Sequence, residues 1–409
     1  VDLMERTDMI KRMAAVAVLV SLLAGCSSFK SMFAGKNAEA KKAAEPAELV
    51  KFKPTIKPRK AWSVDLGDGE RRIGARQGPA VADGRVYAAA AEGRVLALDL
   101  QTGKRVWEFK AAKDEKLRLT GGPGAGNGLV VVGGLDGAVI ALDAQDGSER
   151  WRAKVRSEII AAPTVSQGLV LVRSNDGRIT AFDAASGEQR WYAERELPSL
   201  TVRGNASPTP APGLLFAGND DGTLTALALR DGRLLWEQAV GLPEGRTELE
   251  RMADVDAPIV IDGTMLYASS YRNRTGAIDG PSGRPMWQSD HGGPGAIGVA
   301  PSAILVSSAA GTVYALDKSN GVALWSQPAL ARRSLTGPAV QGDYAVVGDY
   351  AGYVHWLRLD NGEMAARERV GFFIFWATEG SGFTDSLFKE NVAKARRTGK
   401  PCAAYHYQR

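Results

Sequence analysis

Cysteine and histidine are almost missing from this chain. Two cysteines in 409 residues exclude a disulfide-stapled scaffold and any Cys-rich zinc module. The three histidines, His291, His355 and His406, stand far apart, which argues against a metal centre built on neighbouring imidazoles. A basic excess is missing too, despite a net charge of +5. Lys389, Lys394, Arg396, Arg397, Lys400 and Arg409 against Glu390 account for all of it, so the rest of the chain is neutral overall. That distribution excludes a nucleic-acid-binding face. The hydrophobic share, 44%, is ordinary for a chain with a real core and excludes wholesale disorder. The length allows two or three domains, or one large all-β domain.

The apolar run Met13 to Ala24, broken by Ser21, follows Lys11-Arg12 and is shorter than the roughly 20 residues a spanning helix needs. A basic start, a short apolar stretch and small residues at its end describe a secretory leader, expected over residues 1–25. It finishes Leu22-Leu23-Ala24-Gly25-Cys26, which resembles the bacterial lipobox. The resemblance implies lipidation of Cys26 and, with Ser27 following in place of Asp, sorting to the outer membrane on its periplasmic face. Asp2, Glu5 and Asp8 suit a leader poorly, so Met9 is the expected start. Residues 26–60 are rich in Ala, Lys, Glu and Pro and read as a flexible tether behind the anchor.

What the remainder has in abundance is a repeat of about 43 residues. Val95-Leu96-Ala97-Leu98-Asp99, Gly103, Trp107 recurs as Val139 to Asp143, Gly147, Trp151, and again as Ile179 to Asp183, Gly187, Trp191. Weaker copies carry Gly232 and Trp236, Gly283 and Trp287, and Gly321 and Trp325. A seventh has Gly362, with Ala366 where tryptophan is expected. Each unit begins with an apolar run such as Gly128 to Val132, a buried strand. A turn at Asp136-Gly137 follows, then a strand ending at Asp143, a turn closing on Gly147, and an outer strand bearing Trp151. With one further strand before each apolar run, the unit has four strands and little helix. Units of this size that cannot cover their own apolar faces must stack in a ring, so the expected fold is an all-β propeller over residues 61–370. Gly121-Gly122-Pro123-Gly124 enters a strand and opens no helix, so it reads as a turn and not as a phosphate loop.

The spaced Asp, Gly and Trp resemble the tryptophan-docking repeat of the PQQ-like propellers. There the indole ties one blade to the next, which gives Trp107, Trp151, Trp191, Trp236, Trp287 and Trp325 a structural role. Trp62 would sit on a lone outer strand completing the last blade. Quinoprotein dehydrogenases share this repeat and form the alternative, enzymatic reading. They hold their quinone against a disulfide of adjacent cysteines, and no Cys-Cys pair occurs here. Asp220-Asp221 and Asp254-Val255-Asp256 read as solvated turn and loop carboxylates. The expectation is no catalytic residue, no metal and no cofactor.

Lipobox, tether and repeat together resemble the BamB family, the propeller lipoproteins of the outer-membrane β-barrel assembly (Bam) complex. Three stretches sharpen the likeness: Leu197 to Gly204, Glu248 to Asp256 and Val347 to Trp356. The resemblance implies eight blades and a scaffold that binds a POTRA domain of the central component, BamA, assisting insertion of outer-membrane proteins. Carried over by position, the contact residues are Leu200, Val202, Arg203, Asp254 and Asp256. The long insertion ending at Asp256 supports that region on its own, since long loops between regular blades are commonly functional. After Val370 the repeat stops. Residues 371–409 stand where the inner strands of an eighth blade belong, and a frameshifted or chimeric coding end is the expected reason.

Overall fold

The computed structural model describes residues 45–66, 78–112, 115, 117–201 and 204–370, with 373–379, 383–384 and 402–407 as backbone strands. The leader, Cys26, Val202 and Arg203 therefore lie outside the described residues.

Seven four-stranded antiparallel meanders follow one another along residues 80–110, 119–154, 164–194, 209–239, 260–289, 298–327 and 339–369. They are the blades of a propeller, and the second shows why this sequence builds one. Its second and third strands, Leu129–Gly134 and Ala138–Asp143, are buried along their whole length because adjoining blades cover both faces. The outermost strand, Glu149–Lys154, buries mainly Trp151 and leaves its charged neighbours in water. The first hairpin turns on Asn127-Gly128, both at positive φ, the two-residue geometry that matches strand twist. In every blade a bulge interrupts the pairing of the third and fourth strands, next to the position of the docking tryptophan.

Each tryptophan reaches the next blade in one way. Trp107, Trp151, Trp191, Trp236, Trp287 and Trp325 donate from Nε1 to the carbonyls of Ala144, Ala184, Leu229, Gly280, Lys318 and Leu359, at 2.7–3.0 Å. The indole lies on the turn glycine of the receiving blade. A Cβ built at Gly147 would stand 2.6 Å from the Trp107 ring, and its φ of +78° is one that L side chains rarely adopt. Shape and backbone both demand glycine there.

Three expectations need correcting. Gly121 to Gly124 is no turn. It lies inside the innermost strand of blade 2, Leu119–Gly126, where neighbouring chains converge: a Cβ at Gly124 would stand 1.7 Å from the Pro163 carbonyl oxygen. Trp62 docks as the others do, 3.0 Å from the Leu100 carbonyl and over Gly103, but it belongs to no strand. Nor does a free tether extend to residue 60. The chain joins the propeller by Leu49, which packs with the core between blades 6 and 7. The Thr55 amide then bonds to the Ala365 carbonyl on blade 7, at 2.9 Å, before Trp62 reaches blade 1. An extended strap thus joins the last regular blade to the first.

The tail departs from the repeat as its sequence does. Its strands Phe373–Glu379, Phe383–Thr384 and Cys402–Tyr407 form a separate three-stranded sheet whose longest pairing is parallel. Among the described residues every blade pairing is antiparallel.

Candidate functional site

The turns between second and third strands and the loops between blades share one face of the ring. Its two long loops, 195–208 and 240–259, flank blade 4. Arg195, at the root of the first, forks onto blade 4 through bonds to Glu237 (2.5 Å) and Asp221 (2.8 Å). Burial works to raise the Asp221 carboxyl, but the Thr223 hydroxyl and amide together with Arg195 outweigh it and hold the group below its usual range. Farther along, Asn205 donates to the Asn175 side-chain oxygen, which belongs to a residue that itself donates to Glu158; both bonds are 2.9 Å. This chain of amides spans blades 2 to 4 and fixes the far end of the loop.

Between these roots the loop projects leucines. Leu197 and Leu200 are 41% and 42% exposed. The second loop adds Leu242 and Leu249, also exposed. Leu249 sits on a single helical turn, Glu248–Arg251, capped by Thr247 and Glu250 in a reciprocal capping box. Arg272 of blade 5 grips the end of that turn, donating 3.0 Å bonds to the carbonyls of Leu249 and Met252. Four large apolar side chains are thus held in water on backbones that are braced and unable to collapse inward.

Asp254 and Asp256 are not where the sequence reading put them. Both are buried, at 0% and 7% exposure. The reason is the segment around them: Ala253, Val255 and Ala257 are apolar and buried, the Val255 amide bonds to the Asn219 carbonyl, and the Tyr271 amide bonds to the Asp254 carbonyl. The loop dives between the turns of blades 4 and 5, taking its carboxylates with it. Only residues 242–251 remain as the polar excursion. Asp220 joins them. One oxygen of each of Asp220, Asp254 and Asp256 lies within 4.8 Å of the others. Such a trio has the donor type for a hard cation, but a fixed cation is already present. Arg173, 3% exposed, lies 3.5 Å from Asp220 and also donates to the Gly218 carbonyl. Burial pushes the Asp220 carboxyl upward against the pull of Arg173.

Among the predicted contacts, then, Leu200 is on the exposed face, Asp254 and Asp256 lie beneath it, and Val202 and Arg203 are outside the described residues. Sequence reading missed Arg173, Arg195 and the burial of Asp220. The available signal for Arg173 was an arginine closing an otherwise apolar strand, Leu169–Arg173. For Arg195 there was none, because its partners are more than 25 residues away.

A family profile described as "Outer membrane protein assembly factor BamB" matches residues 54–119, 91–327 and 299–373. Among curated proteins of that name, the one from Xanthomonas campestris pv. campestris is 63% identical, covering 90% of this chain and 92% of its own. Those from Pseudomonas aeruginosa and Escherichia coli are 40% and 35% identical, over 87% and 86% of this chain and 90% and 89% of theirs. The crystal structure of BamB from Moraxella catarrhalis superposes with a TM-score of 0.67 at 29% identity, covering 75% of this chain and 92% of the other. Quinohemoprotein alcohol dehydrogenase from Comamonas testosteroni reaches a TM-score of 0.60 at 17% identity, over 74% of this chain and 68% of that one, a likeness of fold alone.

Proposed function

The chain belongs to the BamB family of outer membrane protein assembly factors, and from that membership we propose that it works as a non-catalytic scaffold whose leucine-bearing face docks a POTRA domain of BamA. The observation that carries this reading is the set of four exposed leucines braced above a buried floor of Asp220, Asp254, Asp256 and Arg173. Exposed apolar side chains rimmed by fixed polar groups match the anatomy of a protein interface, an apolar centre with a polar rim. Leu200, with Val202 and Arg203 beside it in sequence, supplies the partner-facing contact. Asp254 and Asp256 act from below, giving the loop its shape and an anionic floor. Cys26 carries the lipid anchor that keeps the propeller at the periplasmic face of the outer membrane, behind a leader over residues 1–25. Residues 371–409 replace the eighth blade.

Titration calorimetry against the periplasmic domain of BamA tests the reading. Leu200→Ala should weaken binding by roughly thirtyfold, the equivalent of about 2 kcal/mol, with the melting temperature unchanged. Equal affinities for variant and parent would remove this face from the interface.

A further inference from the structure

The strap that joins blade 7 to blade 1 is also strongly basic. Between Leu49 and Lys60 stand Lys51, Lys53, Lys57, Arg59 and Lys60, with no carboxylate among them. All five are exposed. Along the strap the side chains divide between the propeller and water. Phe52 turns inward beneath the Arg367 guanidinium, 5.1 Å from ring centre to Cζ, and Ile56 is half-buried. Lys51, Lys53, Lys57 and Arg59 stay exposed. The Thr55 amide bond to Ala365 and the Arg367 bond to the Val50 carbonyl, at 3.2 Å, fix this backbone on blade 7. Among the described residues no ion pair engages these four cations, although most arginines on the blades have carboxylate partners.

Beside the strap lies a recess of about 370 Å³. Lys57 and Arg59 form one wall, Tyr344 and Trp356 the other, and no carboxylate lines it. Trp356 is half-buried, its indole N–H bonded to the Gln341 side-chain oxygen at 2.8 Å. Cations next to half-exposed Trp and Tyr are the composition of surfaces that sit at a membrane interface.

We propose that this strap face docks on an anionic membrane surface, with a phospholipid headgroup phosphate taken up between Lys57 and Arg59 in the recess. Charge complementarity selects the occupant, and sequence distance favours it. In sequence, Lys51 stands only 25 positions after Cys26. The lipid proposed on Cys26 would confine the chain to the membrane on which these cations can act. A single lipid signal is commonly reinforced by a basic patch, each cation adding roughly fivefold to surface partitioning. The choice of occupant rests in part on the lipid anchor proposed at Cys26 and does not depend on the POTRA-docking reading.

Hydrogen exchange of residues 49–60 in the purified full chain tests it, with vesicles of phosphatidylcholine alone or mixed roughly 7:3 with phosphatidylglycerol. Slowing of at least about fivefold is expected on the mixed vesicles only, and it should vanish near 1 M salt. It should be lost in K51Q/K53Q/K57Q/R59Q, and again in the milder K57Q/R59Q, with melting temperatures unchanged. Equal exchange on the two vesicle types would overturn the proposal, as would protection that survives salt or either variant. Protection by soluble polyglutamate with no response to phosphatidylglycerol would assign the face to an acidic protein and equally overturn it.

Discussion

His355 shows how far one side chain can commit a blade. It is fully buried, with Nε2 3.0 Å from Asp349 and Nδ1 accepting a 3.3 Å bond from Arg367. Arg333 completes the group, donating to Asp349 at 2.7 Å. An imidazole that accepts at Nδ1 and donates at Nε2 is neutral, and burial accordingly pushes its pKa below the ordinary 6.5, against the pull of Asp349. Neutral in the folded state and protonated in the unfolded one, His355 contributes stability that is complete above pH 6.5 and declines as pH falls from there toward its folded-state value. Burial also opposes the Asp349 charge, but bonds from His355, Arg333 and the Tyr353 amide outweigh it, so its contribution is lost only in strong acid. Urea unfolding at pH 7, 6 and 5 should give falling stability for the parent. His355→Gln should flatten that slope while lowering stability throughout. An unchanged slope would mean that His355 does not titrate on unfolding. Trp151 makes the complementary case. Its replacement by Ala opens a cavity between blades 2 and 3 and removes the bond to Ala184, at a cost of about 3–5 kcal/mol by denaturant titration. Affinity for a partner on the leucine face should not change.

At the scale of elements, the repeat explains the blades and the departures from it explain the leucine-bearing face. The inner strands of the blades spend their apolar residues on one another, while outer strands leave some, such as Leu234 and Leu324, in water. The two loops beside blade 4 hold theirs in water because Arg195, Asn205, Arg272 and the Thr247–Glu250 capping box fix the backbone that carries them. Arg195→Ala should free the first loop from blade 4. Amide exchange in residues 204–208 should quicken and partner affinity should drop, while the melting temperature falls by only a degree or two, because a half-exposed ion pair adds about 1 kcal/mol at most. Exchange rates matching the parent's would show that Asn205 alone suffices. Arg203→Ala, changed directly at the proposed contact, should weaken binding and leave loop exchange as it is.

Across the whole molecule the question is how seven blades and an irregular tail close a ring. The strap supplies part of the answer, since Trp62 gives blade 1 the indole that every other blade receives from its predecessor. Trp62→Ala should therefore loosen blade 1 first. Exchange in residues 85–99 should rise before global unfolding, whereas Trp151→Ala lowers the global transition. Simultaneous loss across all blades in Trp62→Ala would show that the ring is one cooperative unit through the strap as well.

Much of this was legible in the sequence because it is local. Apolar runs bounded by Asp-Gly turns specify four-stranded units, and Gly147 with Trp107 specifies docking of one unit on the next, since each requirement is met within about one repeat length. The break in the repeat after Val370 is likewise a matter of composition. The fate of polar residues was not legible. Asp254 and Asp256 look like solvated loop residues, yet Val255 between them fills the space above Gly218 and draws both carboxylates under the surface. Arg173 and Asp220 meet across two blades, and the strap finds blade 7 more than 300 residues along the chain. Whether a charge is exposed depends on which distant backbone passes over it. The sequence by itself determined the repeating unit and its stacking, and only the tertiary structure decided which carboxylates lie buried and which cations face outward.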